Sequence, residues 1–414
     1  MRRRRLWIYN HYAIAPDQSG GTRHYDLARA LTARGYDVTL VAAGVSHVTG
    51  QEERVPRGRL MATRVMDGVR FVWLRTPRYR GNGVGRVLNM VTYAVMSLVS
   101  QFRLGRPDVV IGSSVHLLAP LAALGIARLH GARFILEIRD PWPEALVAAG
   151  VIGRESLIAR SLSRLAGYLY RRAELIIVVT EGVANLVREQ GARQDRILTL
   201  PHAVDFGSDR DATPADAPWW QVVQDERAQA GILATYVGAH GQANDLDTPL
   251  RAARILGHRG RGDIRFLFVG DGPERARLER ESQDVPAVRF LGPVSKASVP
   301  SVLALSDVGL ATLSQGFWDT GVSMNKVSDY FAAGIPVVMV GDPPGNPVSR
   351  SDGGVTVPFA DADALAEELL TLADMDPADR QRIGQRGNAY ARTHLSLDSL
   401  TDRLTAAIDQ LVRE

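Results

Sequence analysis

The stretch Gly321–Pro336, GVSMNKVSDYFAAGIP, decides the fold, because it predicts a short helix followed by a buried strand. Ser323 and Asn325 are residue types that cap helix N-termini, and an apolar-patterned run follows them. Gly334 is a typical helix stop, and Pro336 opens the strand-like run PVVMV. A strand that follows a helix in this way indicates a sheet with helical crossovers.

Within the predicted helix, Lys326 lies three residues before Asp329 and four before Tyr330, so these side chains are neighbours on its surface. The helix N-terminus adds unpaired N–H groups and a positive dipole end, which suit a phosphate. An ordinary capped helix with one surface ion pair would explain the same residues. The rest of the chain has to separate these two interpretations.

Length and composition indicate a two-domain protein that handles anionic small molecules. At 414 residues the chain is too long for one ordinary core. It contains no cysteine, which excludes disulfides and thiolate sites and fits a cytoplasmic location. A net charge of +4 with a pI near 9.5 does not favour nucleic-acid binding, but it suits anionic ligands or an anionic membrane surface. The opening MRRRRLWIYN is too short in its apolar part for a signal peptide.

Short apolar runs alternate with helical patterns along both halves of the chain, which predicts two Rossmann-like, doubly wound parallel sheets. We expect an N-terminal domain over residues 1–204, a linker over 205–230 and a C-terminal domain over 231–397. The last helix, 398–414, is long enough to pack back on the first domain. Two such domains facing each other would form a cleft at the carboxyl ends of their strands, where ligands usually bind.

Residues 86–103, RVLNMVTYAVMSLVSQFR, form a strongly apolar segment with an arginine at each end. A buried core helix is one interpretation. A helix that presents its apolar face and flanking arginines to a bilayer surface is the other. Five polar residues within the segment argue against a spanning helix.

Polar residues that directly follow predicted strands are the candidate site residues. In the first half they are Gly20 and Gly21 after the first strand, His116 after 109–112, and Arg139, Asp140 and Glu144 after 134–138. In the second half they are Gly238, His240, Asn244, Asp271, Gly292, Val294, Ser323, Asn325, Lys326 and Asp329. Four loops at one edge of one domain therefore look suited to a nucleotide diphosphate. No P-loop motif and no zinc-protease motif is present, and D-x-D patterns such as Asp245–Asp247 and Asp361–Asp363 are too common to predict a metal.

Several runs of sequence together carry a resemblance to a known family. They are the residues 19–23, 137–144, 236–241, 268–273, 288–292 and, most specifically, 325–338 (NKVSDYFAAGIPVV). The chain resembles the retaining nucleotide-sugar glycosyltransferases of family 4, which have the two-Rossmann GT-B fold. Within that family it is similar to bacterial aminosugar transferases (FucNAc, QuiNAc and GlcNAc types) of surface-polysaccharide pathways.

The resemblance implies that the second domain holds the nucleotide sugar and the first receives the acceptor. Lys326, with backbone N–H groups near Ser323 and Gly20, would stabilise the leaving diphosphate. Asp329 would bind the ribose, the loop at Gly292–Val294 the base, and His116 and Asp140 the sugar or acceptor hydroxyls, while Arg139 and Glu144 would lie on the acceptor side. The first acid of the family's E-x7-E pattern is replaced by Gly321. The basic residue that often follows Gly238 is replaced by Ala239-His240.

We therefore expect transfer of an N-acetylhexosamine or deoxyaminosugar, with retention, from a UDP-linked donor to a glycan or polyprenyl-diphosphate-linked acceptor. The resemblance implies no cofactor and no required metal, and it places the enzyme in the cytoplasm or on the inner membrane face. Two alternatives stay open at this point. One is a nucleotide-sugar epimerase on the same fold, and the other is a non-catalytic nucleotide-sugar-binding subunit.

Overall fold

The computed structural model describes residues 3–17, 21–47, 50–81, 83–207, 217–315 and 324–413. The chain divides into two compact units. The first unit consists of Met1–Pro201 and Leu400–Glu414, and the second of His202–Ser399. Each unit is built on one largely parallel sheet with helices around it, as the sequence predicts, so the expected fold class is confirmed.

The sheet of the first unit has eight strands among the described residues, in the order β3-β4-β2-β1-β5-β6-β7-β8. Only β3, at the edge, pairs antiparallel. The central strands are mostly apolar because both faces of the sheet are covered. The strands are β1 (Arg5–Tyr9), β2 (Asp37–Ala43), β3 (Met61–Met66), β4 (Val69–Leu74), β5 (Val109–Ser114), β6 (Arg133–Ile138), β7 (Leu175–Val178) and β8 (Ile197–Thr199).

The helices of the first unit connect these strands, and most of the last helix of the chain also belongs to this unit. The connections β4 to β5, β5 to β6 and β6 to β7 all advance in the same direction across the sheet. Because such crossovers are right-handed, their helices α2, α3 and α5 lie on the same face of the sheet. The helices are α1 (Arg23–Ala33), α2 (Val84–Leu104), α3 (Leu118–His130), α4 (Glu144–Ala148), α5 (Leu157–Arg172) and α6 (Glu181–Glu189).

The second unit has a parallel sheet of six described strands in the order β11-β10-β9-β12-β13-β14. Its strands are β9 (Ile232–Val237), β10 (Ile264–Val269), β11 (Val288–Leu291), β12 (Val308–Ala311), β13 (Val337–Val340) and β14 (Gly354–Val357). Its helices are α7 (Pro218–Gln229), α8 (Asp247–His258), α9 (Arg275–Glu281), α10 (Val299–Leu303), α11 (Asn325–Ala333), α12 (Pro347–Ser351), α13 (Ala362–Asp374) and α14 (Pro377–Tyr390). The last helix, α15 (Leu397–Arg413), begins here and continues into the first unit.

Helix α7 lies within the segment that we expected to be a linker. Val223 is buried against Leu233 and Leu267 of the second sheet. Glu226, also buried, accepts hydrogen bonds from Arg265 (2.6 Å) and Arg289 (2.8 Å). Residues 218–229 are therefore part of the second unit. The proline and the paired tryptophans at the start of α7 concealed its helical pattern in the sequence.

A buried ionic cluster connects α1 and β6 to the two residues that follow β8. Glu137, on β6, accepts hydrogen bonds from His24 Nε2 (2.5 Å) and Arg23 Nε (3.2 Å). Arg23 also donates to the backbone carbonyls of Leu200 (2.8 Å) and Pro201 (2.6 Å). Burial alone would raise the pKa of Glu137, but the charges and hydrogen bonds of His24 and Arg23 outweigh it and hold that pKa well below its usual range.

Glu137→Ala should lower the free energy of unfolding by about 3 kcal/mol, because it leaves the buried Arg23 without its counter-charge. Urea unfolding followed by circular dichroism measures the change. Glu155→Ala is the matched control, since Glu155 also pairs with an arginine (Arg160, 3.3 Å) but its side chain is 84% exposed. That control should change stability by less than about 0.5 kcal/mol.

The same pair of variants has a pH signature. A carboxyl whose folded pKa is depressed stabilises the fold above its unfolded pKa, and that contribution is lost as the pH falls through the folded value. The difference between wild type and Glu137→Ala should therefore shrink on acidification below about pH 4.5. Equal losses in the Glu137 and Glu155 variants at neutral pH would contradict the role of the cluster.

Candidate functional site

The carboxyl ends of neighbouring strands in the second unit bring the predicted donor loops together. Gly238 N donates to Val269 O (2.9 Å), and Gly270 N donates to Leu291 O (3.1 Å), so the loops after β9, β10 and β11 are directly linked. His240 N adds a bond to Asp271 O at 2.9 Å. The loops that were selected because they follow strands therefore lie side by side along one edge of the sheet.

Helix α11 places Lys326 at this edge. The helix begins after Met324, which caps it without a side-chain hydrogen bond, so the expected capping by Asn325 is wrong. Asn325 is the first helical residue and is exposed, which leaves its side chain facing outward. Ser323, the other expected cap, lies outside the described residues, as do Gly20 and Gly321. Gly334 ends the helix in the left-handed conformation, as predicted (φ 73°).

The ammonium of Lys326 rests on Tyr236 rather than on a carboxylate. Its Nζ donates to Tyr236 Oη at 2.8 Å and lies 4.0 Å from the centre of that ring, a cation–π contact. Asn244 Oδ1 accepts a longer bond at 3.4 Å. Among the described residues no carboxylate lies within ion-pair distance of this ammonium. Burial therefore lowers the pKa of Lys326 to about 7, and an anion placed here would raise it again.

Lysine is a rare residue type in this chain. Of the 49 lysines and arginines only two are lysines, Lys296 and Lys326. A buried arginine would keep its charge at any accessible pH, whereas a lysine amine can lose its proton when it is desolvated. A lysine at this position therefore gives the edge a charge that responds to the ligand.

Two glycines keep the space beside the ammonium open. Gly238 has φ 152°, and a Cβ there would lie 3.1 Å from Tyr236 Oη and 3.3 Å from Lys326 Nζ. Gly270 has φ 142°, and a Cβ there would lie 2.0 Å from the Gly238 carbonyl oxygen, which no side chain can tolerate. Close approach of two loops, and of a loop to a cation, is therefore possible only with glycine.

His240 lies beneath these loops and is fully buried. Its ring packs edge-on against Phe290 (centroids 5.7 Å apart), and neither ring nitrogen has a hydrogen-bond partner in the described part of the chain. Burial, with a smaller effect of Arg275, lowers the pKa of His240 to about 4, so the ring is neutral. The ring supports the loop from below, and its predicted direct contact with the donor stays a prediction.

The remaining predicted donor residues surround this centre. Asn244 is held by Thr312 Oγ1, which donates to its carbonyl oxygen at 2.5 Å. Asp271 accepts from Gly272 N at 2.8 Å and so shapes its own turn. Gly292 and Val294 are partly exposed after β11, and Asp329 is partly exposed one turn into α11. Gly21, in the first unit, is exposed with open space around its Cα.

The sequence analysis missed two residues of this site, Tyr236 and Arg275. Tyr236 looked like a core residue because it lies inside a buried strand, although it comes two residues before Gly238. Arg275 is the first residue of α9, and its guanidinium donates to Gly270 O at 3.4 Å, beside Gly292. Its position after the run Gly270-Asp271-Gly272-Pro273 was the available signal.

In the first unit, the predicted catalytic His116 is buried and engaged on both ring nitrogens. Its Nε2 lies 2.7 Å from His11 Nδ1, and its Nδ1 accepts from Ala119 N at 3.4 Å. Burial, with a contribution from Arg86, lowers the pKa of His116 to about 3. The ring is therefore neutral and positions His11, and its predicted contact with a sugar or acceptor hydroxyl is untested.

The other predicted acceptor-side residues follow β6. Asp140 is exposed and Arg139 partly exposed, so both are accessible for an acceptor. Glu144 is the first residue of α4, and its Oε1 accepts from Gln190 Nε2 at 2.5 Å. This bond orients Glu144 within the first unit.

A cavity of about 250 Å³ lies in the first unit at the ends of β1 and β2. His11 stands at its wall, stacked between Tyr12 and Tyr93 with ring centres 4.3 Å away on each side. Among the described residues, the Nε2 of His11 has no hydrogen-bond partner, although the residue is buried. The other walls include polar and aromatic side chains, among them Asp17, Ser46, His47, Glu53, Arg54 and Trp73, together with a few aliphatic ones. Sequence reasoning missed His11, although it directly follows a predicted strand.

No cluster of three or more histidine, aspartate or glutamate side chains suited to a metal occurs in the described part of the chain. Asp245 and Asp247, which form a D-x-D pattern, are engaged by Thr248 (2.8 Å) and Arg277 (2.8 Å) respectively. The expectation that no metal is required stays a prediction.

Family comparisons match both halves of the chain. Residues 20–203 match the glycosyl transferase 4-like domain, and residues 232–375 match the glycosyl transferases group 1. WbjE of Pseudomonas aeruginosa, a probable glycosyltransferase, is 24% identical over 308 residues, which are 72% of this chain and 74% of that protein. WcaI of Escherichia coli, a putative colanic acid biosynthesis glycosyl transferase, is 25% identical over 280 residues, 65% and 67% of the two chains.

Solved structures agree on the fold. A trehalose-6-phosphate protein of E. coli bound with UDP-2-fluoro glucose has a TM-score of 0.75 at 14% identity, over 98% of this chain and 99% of that one. HepE of Anabaena in complex with UDP and glucose has a TM-score of 0.67 at 13% identity, over 99% and 100%. The chain is therefore a glycosyltransferase of GT-B fold, whose first half matches the glycosyl transferase 4-like domain and whose second half matches the glycosyl transferases group 1.

Proposed function

We propose that this glycosyltransferase takes a sugar from a UDP-linked donor and transfers it, with retention, to a glycan or lipid-linked acceptor. The observation that carries the proposal is the ammonium of Lys326, which has no carboxylate partner among the described residues and lies at the edge where the loops after β9, β10 and β11 are linked. HepE and the E. coli trehalose-6-phosphate protein, which share the fold, bind UDP or a UDP-sugar. A diphosphate is the anion that would compensate this charge.

The chemical problem of the reaction is the negative charge that builds on the diphosphate as it leaves. The bond between the anomeric carbon and the donor phosphate oxygen breaks, and a bond from that carbon to the acceptor oxygen forms on the same face. The acceptor proton passes to the leaving phosphate oxygen, so no separate protein base is needed. Lys326, with Arg275 close to the same loops, would stabilise the growing charge.

The first unit and the relatives support the proposed acceptor. The cavity beside His11 offers polar and aromatic walls of a size that suits one sugar ring. WcaI acts, by its name, in colanic acid biosynthesis, which supports a growing polysaccharide as acceptor. An N-acetylhexosamine or deoxyaminosugar as the transferred group rests on the sequence resemblance. The relatives are named as transferases, so the epimerase alternative is not favoured.

Lys326→Ala should reduce transfer by about two orders of magnitude or more, since it removes a charge-stabilising group from the transition state. A donor screen with UDP-sugars and a membrane extract as acceptor, followed by nucleotide release and mass analysis of the product, measures it. Lys296→Ala removes the other lysine of the chain and is the control. Near-normal turnover in the Lys326 variant would refute the assignment.

Donor affinity should fall as the pH rises from 7 to 9. The pKa of Lys326 is about 7 in the free protein, and a bound diphosphate favours the protonated amine, so binding takes up a proton above pH 7. Calorimetry in buffers of different ionisation enthalpy detects that proton. Lys326→Arg keeps its charge at any pH and should flatten the profile. A profile that stays steep in this variant would assign the titration to another group.

Asp329→Asn should weaken donor binding several-fold with a smaller effect on turnover, because an amide replaces the carboxylate expected to bind the ribose diol. Titration of UDP into both proteins, beside the measurement of kcat, separates the two effects. An unchanged affinity for UDP would exclude the ribose role. An equal loss in the affinity for inorganic diphosphate would place Asp329 at the phosphates instead.

A further inference from the structure

Helix α2 packs on the first unit through a polar face. Asn89 donates to Thr76 Oγ1 (2.9 Å) and Pro77 O (2.6 Å), and Tyr93 Oη donates to Val41 O (2.8 Å). The residues buried on this face are Asn89, Met90, Tyr93, Ser97, Ser100, Gln101 and Leu104. Each of the five polar ones among them is hydrogen-bonded inside the protein.

The outward face of the same helix is apolar. Eight large side chains at helical spacing form one stripe along its length, with exposures from 36% at Leu98 to 85% at Val84. They are Val84, Val87, Leu88, Val91, Val95, Leu98, Val99 and Phe102. Of the two interpretations of this segment, the buried core helix does not hold for these eight side chains, although Met90 is buried. The first unit uses the polar side of α2 for its own packing and leaves the apolar side exposed.

This arrangement is the reverse of an ordinary surface helix, which buries its apolar stripe and exposes its polar one. Single exposed apolar residues are common and need no explanation, but a continuous stripe of eight indicates an interaction surface. The five polar side chains of the inner face already donate hydrogen bonds within the protein, so α2 cannot simply turn over. Something apolar has to cover the stripe.

Positive charge surrounds the stripe. Residues 75–107 contain six arginines and no aspartate or glutamate. Arg78, Arg80, Arg103 and Arg106 are exposed, and in the described ranges none of them forms an ion pair. An apolar face flanked by arginines matches a bilayer surface, where acyl chains meet anionic headgroups. A second copy of the same face would instead bring like charges together.

Neighbouring helices extend the surface. Leu129, at the end of α3, and Leu157 and Ile158, at the start of α5, are exposed as well. Helices α3 and α5 are tied together by Tyr168, over whose ring lie Arg128 (5.9 Å) and Arg172 (5.5 Å). Since α2, α3 and α5 share one face of the sheet, their apolar and basic groups belong to one side of the first unit.

We propose that this side of the first unit binds the surface of an anionic lipid bilayer, with the stripe of α2 inserted at the level of the headgroups. No described helix is long and apolar enough to cross a membrane, which fits contact with a surface. The N-terminal turn of α2 adjoins the cavity of the first unit, because Arg86 Nε donates to Tyr12 Oη at 3.2 Å and Tyr12 lines that cavity. Membrane contact would thus hold the cavity close to lipid-linked molecules.

The test is co-sedimentation of the full chain with phosphatidylcholine vesicles, with and without about a third phosphatidylglycerol. We expect binding to the anionic vesicles that weakens with salt. Val91→Glu combined with Val95→Glu should lower the partition coefficient at least about tenfold, and each of Arg78→Gln and Arg103→Gln about fivefold. Val65→Glu is the matched control, since Val65 is 64% exposed on the edge strand β3 of the same unit, and it should bind normally.

Sedimentation velocity without lipid tests whether a second copy of the chain covers the stripe instead. A dimer that dissociates in the Val91/Val95 variant would overturn the proposal in favour of self-association. Binding that is absent from both kinds of vesicle, or equal in all variants, would overturn it too. Release of UDP from a donor with a soluble acceptor should be unchanged in the Val91/Val95 variant, so failure on vesicles and failure of the proposed transfer reaction are distinguishable.

Discussion

The contact between the Lys326 ammonium and Tyr236 is the interaction on which the account of this protein depends. A buried cation normally has a carboxylate beside it, and here a phenol, a ring face and a distant amide take that place. The glycines of the two neighbouring loops keep the space next to it clear. Among the described residues, the positive charge of Lys326 at the edge of the second sheet is therefore uncompensated, and a diphosphate would compensate it.

The two units differ in whether a buried charged group has a partner of opposite charge. In the first unit, Glu137 is fully paired with Arg23 and His24, which suits a structural cluster that connects α1, β6 and the end of β8. In the second unit, no described residue gives Lys326 such compensation, and burial lowers its pKa to about 7. A perturbed, uncompensated group at strand ends indicates function, and a compensated one indicates stability.

Much of the architecture could be predicted from the sequence, because buried parallel strands appear as continuous apolar runs and helices end at glycines such as Gly334. The donor loops followed from the same rule. Tyr236 and His11 were missed because each lies in or directly beside an apolar strand, where a polar atom looks like a core substitution. The sequence left two orientations of α2 open, since an apolar segment flanked by arginines fits both a core helix and a helix on a bilayer surface. The hydrogen bonds of Asn89 and Tyr93 show that the polar side of α2 faces the first unit.

The most direct measurement is a pH titration of the lysine side chains by NMR after selective ¹³C labelling. The chain has only two lysines, so Lys326 and the exposed Lys296 give two signals, and Lys296 is the internal reference. We expect Lys326 to titrate near pH 7 in the free protein and at higher pH with UDP bound, while the Lys296 signal does not respond to UDP. A Lys326 signal that titrates at the usual pH of a lysine and does not respond to UDP would contradict the account.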